Sequence, residues 1–593
     1  MRLQVVKSKN AVSFYVVKST YISRKRSSKV VEKLGTYDFL LHKLNGEDPY
    51  EWAKKYVNEL NEQEKERKRD ILVKHSPVKQ IPANKQRSYN GGYLFLQQIY
   101  HALNLHSICK EISRKYRFSF NLDSILSRLV YGRIIFPSSK LGTYELSKKF
   151  IEPPDFEIQH IYRALEVISK ESDFIQSELY NNSLKICDRK KGVLYYDCTN
   201  YFFETEQEEG LKRYGLSKQH QPSPLVQMGL FIDGGGIPLA FCINKGSDNE
   251  QLTLQPLEEK IISDFKHSKF IVCTDAGLSS AANRKFNNIG GRAFITTQSI
   301  KKLKKHLREW ALDKTGWRLE NPQNFEEKKR LYTLEELNEK ENFEQNFNRV
   351  FFKERWINED GLEQRMIVTF SLKYQSYQQQ IRKHQIERAQ KLIDTNPSKL
   401  KKSHANDYKR FIAKEHCTKD GEIAEKESLN IDTALIEQEE VYDGFYAVCT
   451  NLEDMAGAII AVNKRRWEIE ESFRILKTEF KARPVYLKRD DRISAHFTTC
   501  FIALMIYRLL EKKIGEEHTC YEIISSLRNM NFFKIESEGY VPTYTRTDFT
   551  DHLHDAYGFR TDYEIVNLNQ MKNIFKETKK QKHYSLFQSI KKL

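Results

Sequence analysis

The chain has 593 residues and a formal net charge of +17, with 39% hydrophobic, 12% aromatic and 30% charged residues. That apolar content excludes a disordered chain, and the length suits about three or four domains. Nine scattered cysteines without a CxxC pair or a Cys/His cluster at zinc spacing exclude a disulfide scaffold or a zinc ribbon. No signal-peptide pattern opens the chain. The longest apolar stretch, around Phe501 to Tyr507, falls short of the roughly 20 residues of a membrane span. The expectation is a soluble, cytoplasmic protein with reduced thiols. Its basic excess fits a polyanion partner, although a generally lysine-rich composition gives the same number.

Residues 1–85 form the first block. VSFYVV (12–17) and SSKVVEKLG (27–35) read as strands around a basic turn at Arg24, Lys25 and Arg26. Eight cations precede the first acid, Glu32: Arg2, Lys7, Lys9, Lys18, Arg24, Lys25, Arg26 and Lys29. They suit phosphate contacts or a solvated hairpin face equally. A polar helix over 50–72 connects onward.

Residues 86–189 read as helical, with Phe95, Ile99 and Leu103 four apart and a break at Pro137-Ser138-Ser139. A helix-turn-helix module and a plain helical bundle both fit. Then the pattern changes. VLYYDCT (193–199), PLVQMGLFID (224–233), IPLAFCI (237–243), KFIVCTD (269–275) and RAFITT (292–297) are strand-like. Three glycines at 234–236 turn the second strand into the third, and a helix over 250–262 separates the third from the fourth. This predicts an α/β domain with a mixed sheet over 190–299. Residues 300–440 interrupt it with a basic segment at 301–308, two strand-like pieces near 348–356 and 364–372, and a polar helix over 378–393. The α/β pattern resumes over 441–515, and 516–593 forms a C-terminal region.

Asp197 and Asp275 each stand where an apolar strand is expected to end, the usual ligand edge of an open α/β sheet. Two carboxylates there repel unless a cation lies between them, which suits Mg²⁺. Singly, each is equally a turn residue. The segment 462–484 reads as one long helix ended by Pro484. Ile469, Phe473, Leu476 and Phe480 form its apolar stripe. Arg466, Glu470 and Lys477 lie within about 40° of one another, turned about 100° from that stripe. They form a cation–acid–cation edge, or else ordinary ion pairs on a helix. Glu468 and Glu471 are rivals to Glu470, and Glu471 is turned about 100° off the edge. His496 reads more readily as structural than as part of a site.

YYDCTNYFFE (195–204), CTDAGLSSAAN (273–283) and RRWEIEESFRILKTEFKARPVY (465–486) resemble the three catalytic blocks of DDE transposases of bacterial insertion sequences, in the IS-four superfamily. GLSKQHQP (215–222), GIPLAF (236–241) and KGSDNEQLTLQP (245–256) are similar to that family too. The family signature of Tyr, Arg, Glu and Lys falls here on Asn463, Arg466, Glu470 and Lys477, so the tyrosine is replaced. The resemblance implies an RNase H-like catalytic core over 190–299 and 441–515, with 300–440 as an insertion domain. It implies Asp197, Asp275 and Glu470 as catalytic residues and ligands of two Mg²⁺ or Mn²⁺ ions. Arg466, Lys477 and Asn463 would contact DNA phosphates, and Trp467 would stack on a base or serve as a half-buried anchor. The implied activity is cleavage of double-stranded DNA at element ends and strand transfer into target DNA, by a homodimer or larger assembly in the bacterial cytoplasm near the nucleoid. A nuclease of the same fold that does not join strands needs the same residues, whereas a non-catalytic DNA-binding relic would be expected to have lost the acids, and all three are present.

Overall fold

The computed structural model describes all residues except 9–10, 23–24, 45, 68–70, 72, 74–75, 219–221, 396–406, 416–427 and 581–593. The chain divides into two compact units, Met1–Lys85 and Gln86–Leu593.

In the first unit, β1 (Arg2–Lys7), β2 (Val12–Ile22) and β3 (Lys25–Thr36) form an antiparallel sheet, one strand more than the expected hairpin. Alternation sends Phe14 and Val16 to one face, where they meet Leu40 of α1 (Tyr37–Lys43) and Ala53 and Val57 of α2 (Pro49–Arg67). Thr36 caps α1 by accepting the Phe39 N–H at 3.4 Å. Arg2, Lys7, Lys18 and Lys29 are exposed, and Lys18 pairs with Glu64 at 2.6 Å. Lys9 and the turn residue Arg24 lie outside the described residues.

The second unit opens with β4 (Ser88–Asn90) and the helices α3 (Tyr93–Ala102), α4 (Leu105–Lys115), α5 (Leu122–Ile135), α6 (Lys140–Ser147), α7 (Ile158–Lys170) and α8 (Ser172–Ile186). Ser139 ends the expected break by accepting the Gly142 N–H at 3.1 Å, which starts α6. A helix-turn-helix reader needs one helix with a free face. Helix α3 is buried apart from His101, and α5 apart from Asp123 and Ser124. The helices α4, α6 and α7 keep exposed faces, so a helix-turn-helix module and a plain bundle both remain compatible with this region.

The large sheet begins with β5 (Val193–Phe202), β6 (Leu225–Asp233) and β7 (Pro238–Lys245). After α9 (Leu254–Ser263) come β8 (Ile271–Thr274), α10 (Ala281–Phe286) and β9 (Ala293–Gln298). Then α11 (Lys305–Leu312), β10 (Arg318–Leu319) and the short helices α12 (Phe325–Lys329), α13 (Leu334–Asn338) and α14 (Lys340–Asn346) lead to β11 (Phe351–Glu359) and β12 (Leu362–Phe370). A long helix, α15 (Leu372–Thr395), a small hairpin of β13 (Ile412–Glu415) and β14 (Ser428–Ile431), and α16 (Thr433–Glu440) precede β15 (Phe445–Thr450). Among the described residues the strand order is β10-β11-β12-β15-β9-β8-β5-β6-β7. Only β5/β8 and β8/β9 run parallel. The block 300–440 thus does not merely interrupt the pattern. Its hairpin β11–β12 pairs with β15 and extends the same sheet.

The expected long helix over 462–484 is broken. It consists of α17 (Ala456–Lys464), α18 (Trp467–Arg474) and one π-helical turn, Ile475–Glu479. The next helix, α19 (Asp490–Ile514), is long and apolar enough by composition to cross a membrane, well beyond the Phe501–Tyr507 stretch. Its most apolar window is 94% buried, because it packs between the helices α3, α5 and α7 and strand β7. The remainder comprises α20 (Cys520–Asn529), β16 (Asn531–Ile535), β17 (Gly539–Pro542), α21 (Asp548–Tyr557), β18 (Val566–Asn567) and α22 (Leu568–Thr578). Strand β16 pairs with β4, and the Asn90 amide donates to the carbonyls of Leu527 and Arg528 at 3.0 Å each. Residues from both ends of the second unit therefore share one sheet.

The turn between β6 and β7 is pinned by a fully buried ion pair. The Arg189 Nε donates to Asp233 at 2.5 Å, and its remaining N–H groups reach Ser183, Ile237 and Pro238. Asp233 in turn accepts the N–H groups of Gly235 and Ile237. Removing one partner leaves a buried charge uncompensated. Arg189→Met should lower unfolding stability by roughly 3–5 kcal/mol in a denaturant titration.

Candidate active site

Strands β5 and β8 pair in parallel over Val193–Tyr195 and Ile271–Cys273, with Tyr195 opposite Cys273. Two residues further along each chain stand Asp197 and Asp275. The register therefore brings both carboxyl groups to one end of the sheet. Asp275 follows β8 as expected, and its carboxylate accepts the Leu278 N–H at 3.0 Å in a tight turn. Asp197 does not end its strand. β5 runs on to Phe202, now paired only with β6, so Asp197 lies where β5 parts from β8. Burial pushes the Asp197 carboxyl up to about 6; Lys218 opposes that rise and the Asp275 charge adds to it.

Two cations flank this pair. Arg466 opens α18 and donates to the Thr297 hydroxyl on β9 at 3.2 Å. Lys477 sits in the π turn and donates to the Thr199 hydroxyl on β5. Since β8 lies between β9 and β5, the arginine and the lysine bracket the aspartates from either side. The helix break at Arg465 and the wider π turn place them there, rather than the shared edge of one straight helix. Burial first, then Arg483 and Lys218, lower the Lys477 ammonium to about 8.

Glu470 lies 4.0 Å from Arg466, with its side chain 65% exposed. Its rivals are engaged elsewhere. Glu468 is buried and accepts from Arg465 at 3.0 Å, and Glu471 accepts from Arg474 at 2.7 Å. Trp467 is exposed and, with Arg466, Glu470, Tyr446 and Ile460, lines a pocket of about 400 Å³. Asn463 is buried and donates to the Tyr446 hydroxyl at 3.0 Å, which meets the Thr297 hydroxyl at 2.7 Å. Asn463 thus supports the Thr297–Arg466 contact while lining the same pocket as Arg466 and Trp467. His496 is buried against the Ala482 carbonyl at 3.1 Å and is structural.

A family model described as the transposase DDE domain matches residues 202–506, more than half of the chain, starting just past Asp197. The chain belongs to this transposase family. No curated protein matches it. Among solved structures, a piggyBac transposase synaptic complex with hairpin DNA aligns over 75% of this chain and 82% of that one, at 8% identity. The TM-score of that alignment is 0.35.

DDE transposases use divalent metal ions, and the transposase can be tested for such a site. The aspartate pair fits: two hard oxygen donors share one sheet end, and burial raises the carboxyl of one of them. The third carboxylate is not assembled with them. Among the described residues no three His, Cys, Asp or Glu side chains stand close enough to hold an ion. Arg466 supplies the positive charge instead, since it acts on Asp197 and Asp275 and also faces Glu470.

Sequence reasoning missed Lys218, which bonds the Cys198 carbonyl and pairs with Glu250 at 3.4 Å. It also missed Thr199, Thr297 and Tyr446. Lys218 lies inside the 215–222 motif, which was the available signal. A hydroxyl that becomes an anchor only across strands leaves none.

The turn after Asp275 leans on α9 and α10. Asn283 donates to the carbonyls of Leu278 and Gln251, and Asn287 donates to Glu258 at 2.8 Å. Burial pushes Glu258 up to about 8 against the pull of Asn287 and Arg292. The folded transposase keeps that proton up to about pH 8, whereas the unfolded chain loses it near 4.5. Stability from this group is therefore full at low pH and declines as pH rises across that window. Glu258→Gln keeps the bond to Asn287 and cannot ionise. Its melting temperature should match the native one near pH 4.5 and exceed it at pH 8.

Proposed function

We propose that this transposase cuts double-stranded DNA at the ends of an insertion sequence of the IS-four superfamily and joins the freed 3′ ends to target DNA. The carrying observation is the in-register Asp197–Asp275 pair bracketed by Arg466 and Lys477. In this reading the sheet end is an RNase H-like catalytic centre. Asp197 and Asp275 would hold two Mg²⁺ or Mn²⁺ ions, and Glu470, exposed on the first turns of α18, would complete the set. Such ions, when bound, activate the attacking oxygen and stabilise the leaving 3′ oxygen.

The protein's own groups supply position and charge. Arg466 and Lys477, each tethered to a threonine, hold the non-bridging oxygens of the scissile phosphate in line for attack. Asn463 keeps Tyr446 and Thr297 in place behind Arg466. The exposed Trp467 ring stacks on an unstacked base beside the cut. Attack by water breaks the phosphodiester and frees a 3′ hydroxyl. Attack by that hydroxyl on a target phosphodiester forms the new junction and releases the target's 3′ oxygen. Pairing two ends calls for two copies of the chain, so a homodimer or larger assembly on DNA is part of the proposal.

Asp197→Asn, Asp275→Asn and Glu470→Gln should each reduce cleavage of end-bearing DNA with Mg²⁺ by at least about 100-fold. Glu471→Gln should remain active. A dead Glu471 variant beside an active Glu470 variant would show that the wrong acid has been chosen. Pre-cleaved ends should also be joined to plasmid DNA, and cleavage without joining would make the protein a nuclease.

A further inference from the structure

A cationic cavity lies beside the segment that follows the π turn. It has a volume of about 350 Å³ and forms where the turn before α6 meets the segment following the π turn. Arg133, Ser138, Lys140, Lys481 and Arg483 line it, and no carboxylate does. Lys140 is only 6% exposed. Among the described residues its ammonium has no hydrogen bond and no ion pair. Burial, reinforced by Arg133, lowers it to about 7.

A largely desolvated ammonium that faces a cavity is costly unless neighbouring groups there offset its charge. The surrounding groups do not. Arg133 spends its terminal N–H groups on the carbonyls of Phe480, Lys481 and Ser138, clamping the two walls together, and its Nε is left without a partner. The Arg483 Nη1 is likewise buried without an acceptor. The start of α6 adds the positive end of a helix whose first turn is capped by Ser139. The cavity therefore presents the cations of Lys140, Lys481 and Arg483 beside the start of α6 with no carboxylate to offset them, which is the complement of a phosphate group.

Its position indicates which phosphate. Arg483 lies 5.8 Å from the Phe202 ring at the end of β5 and adds to the field felt by Lys477. Arg483 therefore links the cavity to the lysine beside Asp197. We propose that this cavity seats a backbone phosphate of the DNA strand leading into the aspartate site. The assignment rests on the reading of the protein as a DNA-cutting transposase.

The test uses the full-length protein, a fluorescein-labelled DNA duplex and anisotropy titrations over a range of salt concentrations. Lys140→Met should weaken binding about tenfold and reduce the slope of log K against log salt by about one ion. The same variant should melt at or above the native temperature, because it removes a buried unpaired charge. If Lys140→Met does not fold, Arg483→Gln should show the same loss of affinity and slope. Native affinity and slope in the folded variants would overturn the proposal. So would inorganic phosphate that stabilises the native protein but not Lys140→Met while DNA binding is unaffected, since the ligand would then be free phosphate. Asp197→Asn separates the two readings. If it binds DNA normally without cutting, the transposase reading holds whatever the cavity does. If the native protein neither binds nor cuts DNA, both readings fall.

Discussion

The site depends on the parallel pairing of β5 with β8. Opposite residues in adjacent parallel strands travel together, so Tyr195 opposite Cys273 obliges Asp197 and Asp275 to meet at the sheet's end. Burial raises the Asp197 carboxyl, and repulsion from the Asp275 charge adds to that rise. Much of the surrounding chemistry supplies positive charge to offset it. Arg466, Lys477 and Lys218 all act on Asp197.

The helical segment over the site works because it is irregular. A straight α-helix would carry Arg466 and Lys477 along one edge. The break at Arg465 and the π turn let each cation reach a different strand, β9 through Thr297 and β5 through Thr199. Irregular turns of this kind cost backbone regularity and recur at functional sites. Here the surrounding packing holds them. Tyr195 on β5 donates to the Val462 carbonyl at 2.8 Å, and Arg508 of α19 donates to the Glu468 carbonyl and the Ser472 hydroxyl. The buried helix α19 thus steadies this segment from behind.

That support explains why the second unit is one body. The helices before β5 and the strands after α20 share the sheet of β4 and β16–β18, and α3, α5 and α7 pack on α19. The 300–440 block joins from the other side, adding β10, β11 and β12 to the same large sheet. Mutations in either region can therefore reach the aspartates through packing, without touching DNA.

Local order was largely legible in the residues. The strands around Asp197 and Asp275, the glycine turn between β6 and β7, the helix before β8 and the stop at Pro137-Ser138-Ser139 follow from alternation, turn chemistry and capping, which act over a few residues. Burial of Ile469, Phe473, Leu476 and Phe480 likewise follows from their spacing. Tertiary structure alone decided the rest. The length of α19 exceeded its uninterrupted apolar run because its polar residues find partners inside the fold. The membership of β10–β12 in the main sheet and the roles of Thr199, Thr297, Tyr446 and Lys218 depend on contacts between residues far apart in the chain. The same holds for the acids. Their types and order are set by sequence, but that Glu468 and Glu471 are engaged by Arg465 and Arg474 while Glu470 is the more exposed depends on the final turns of the helix.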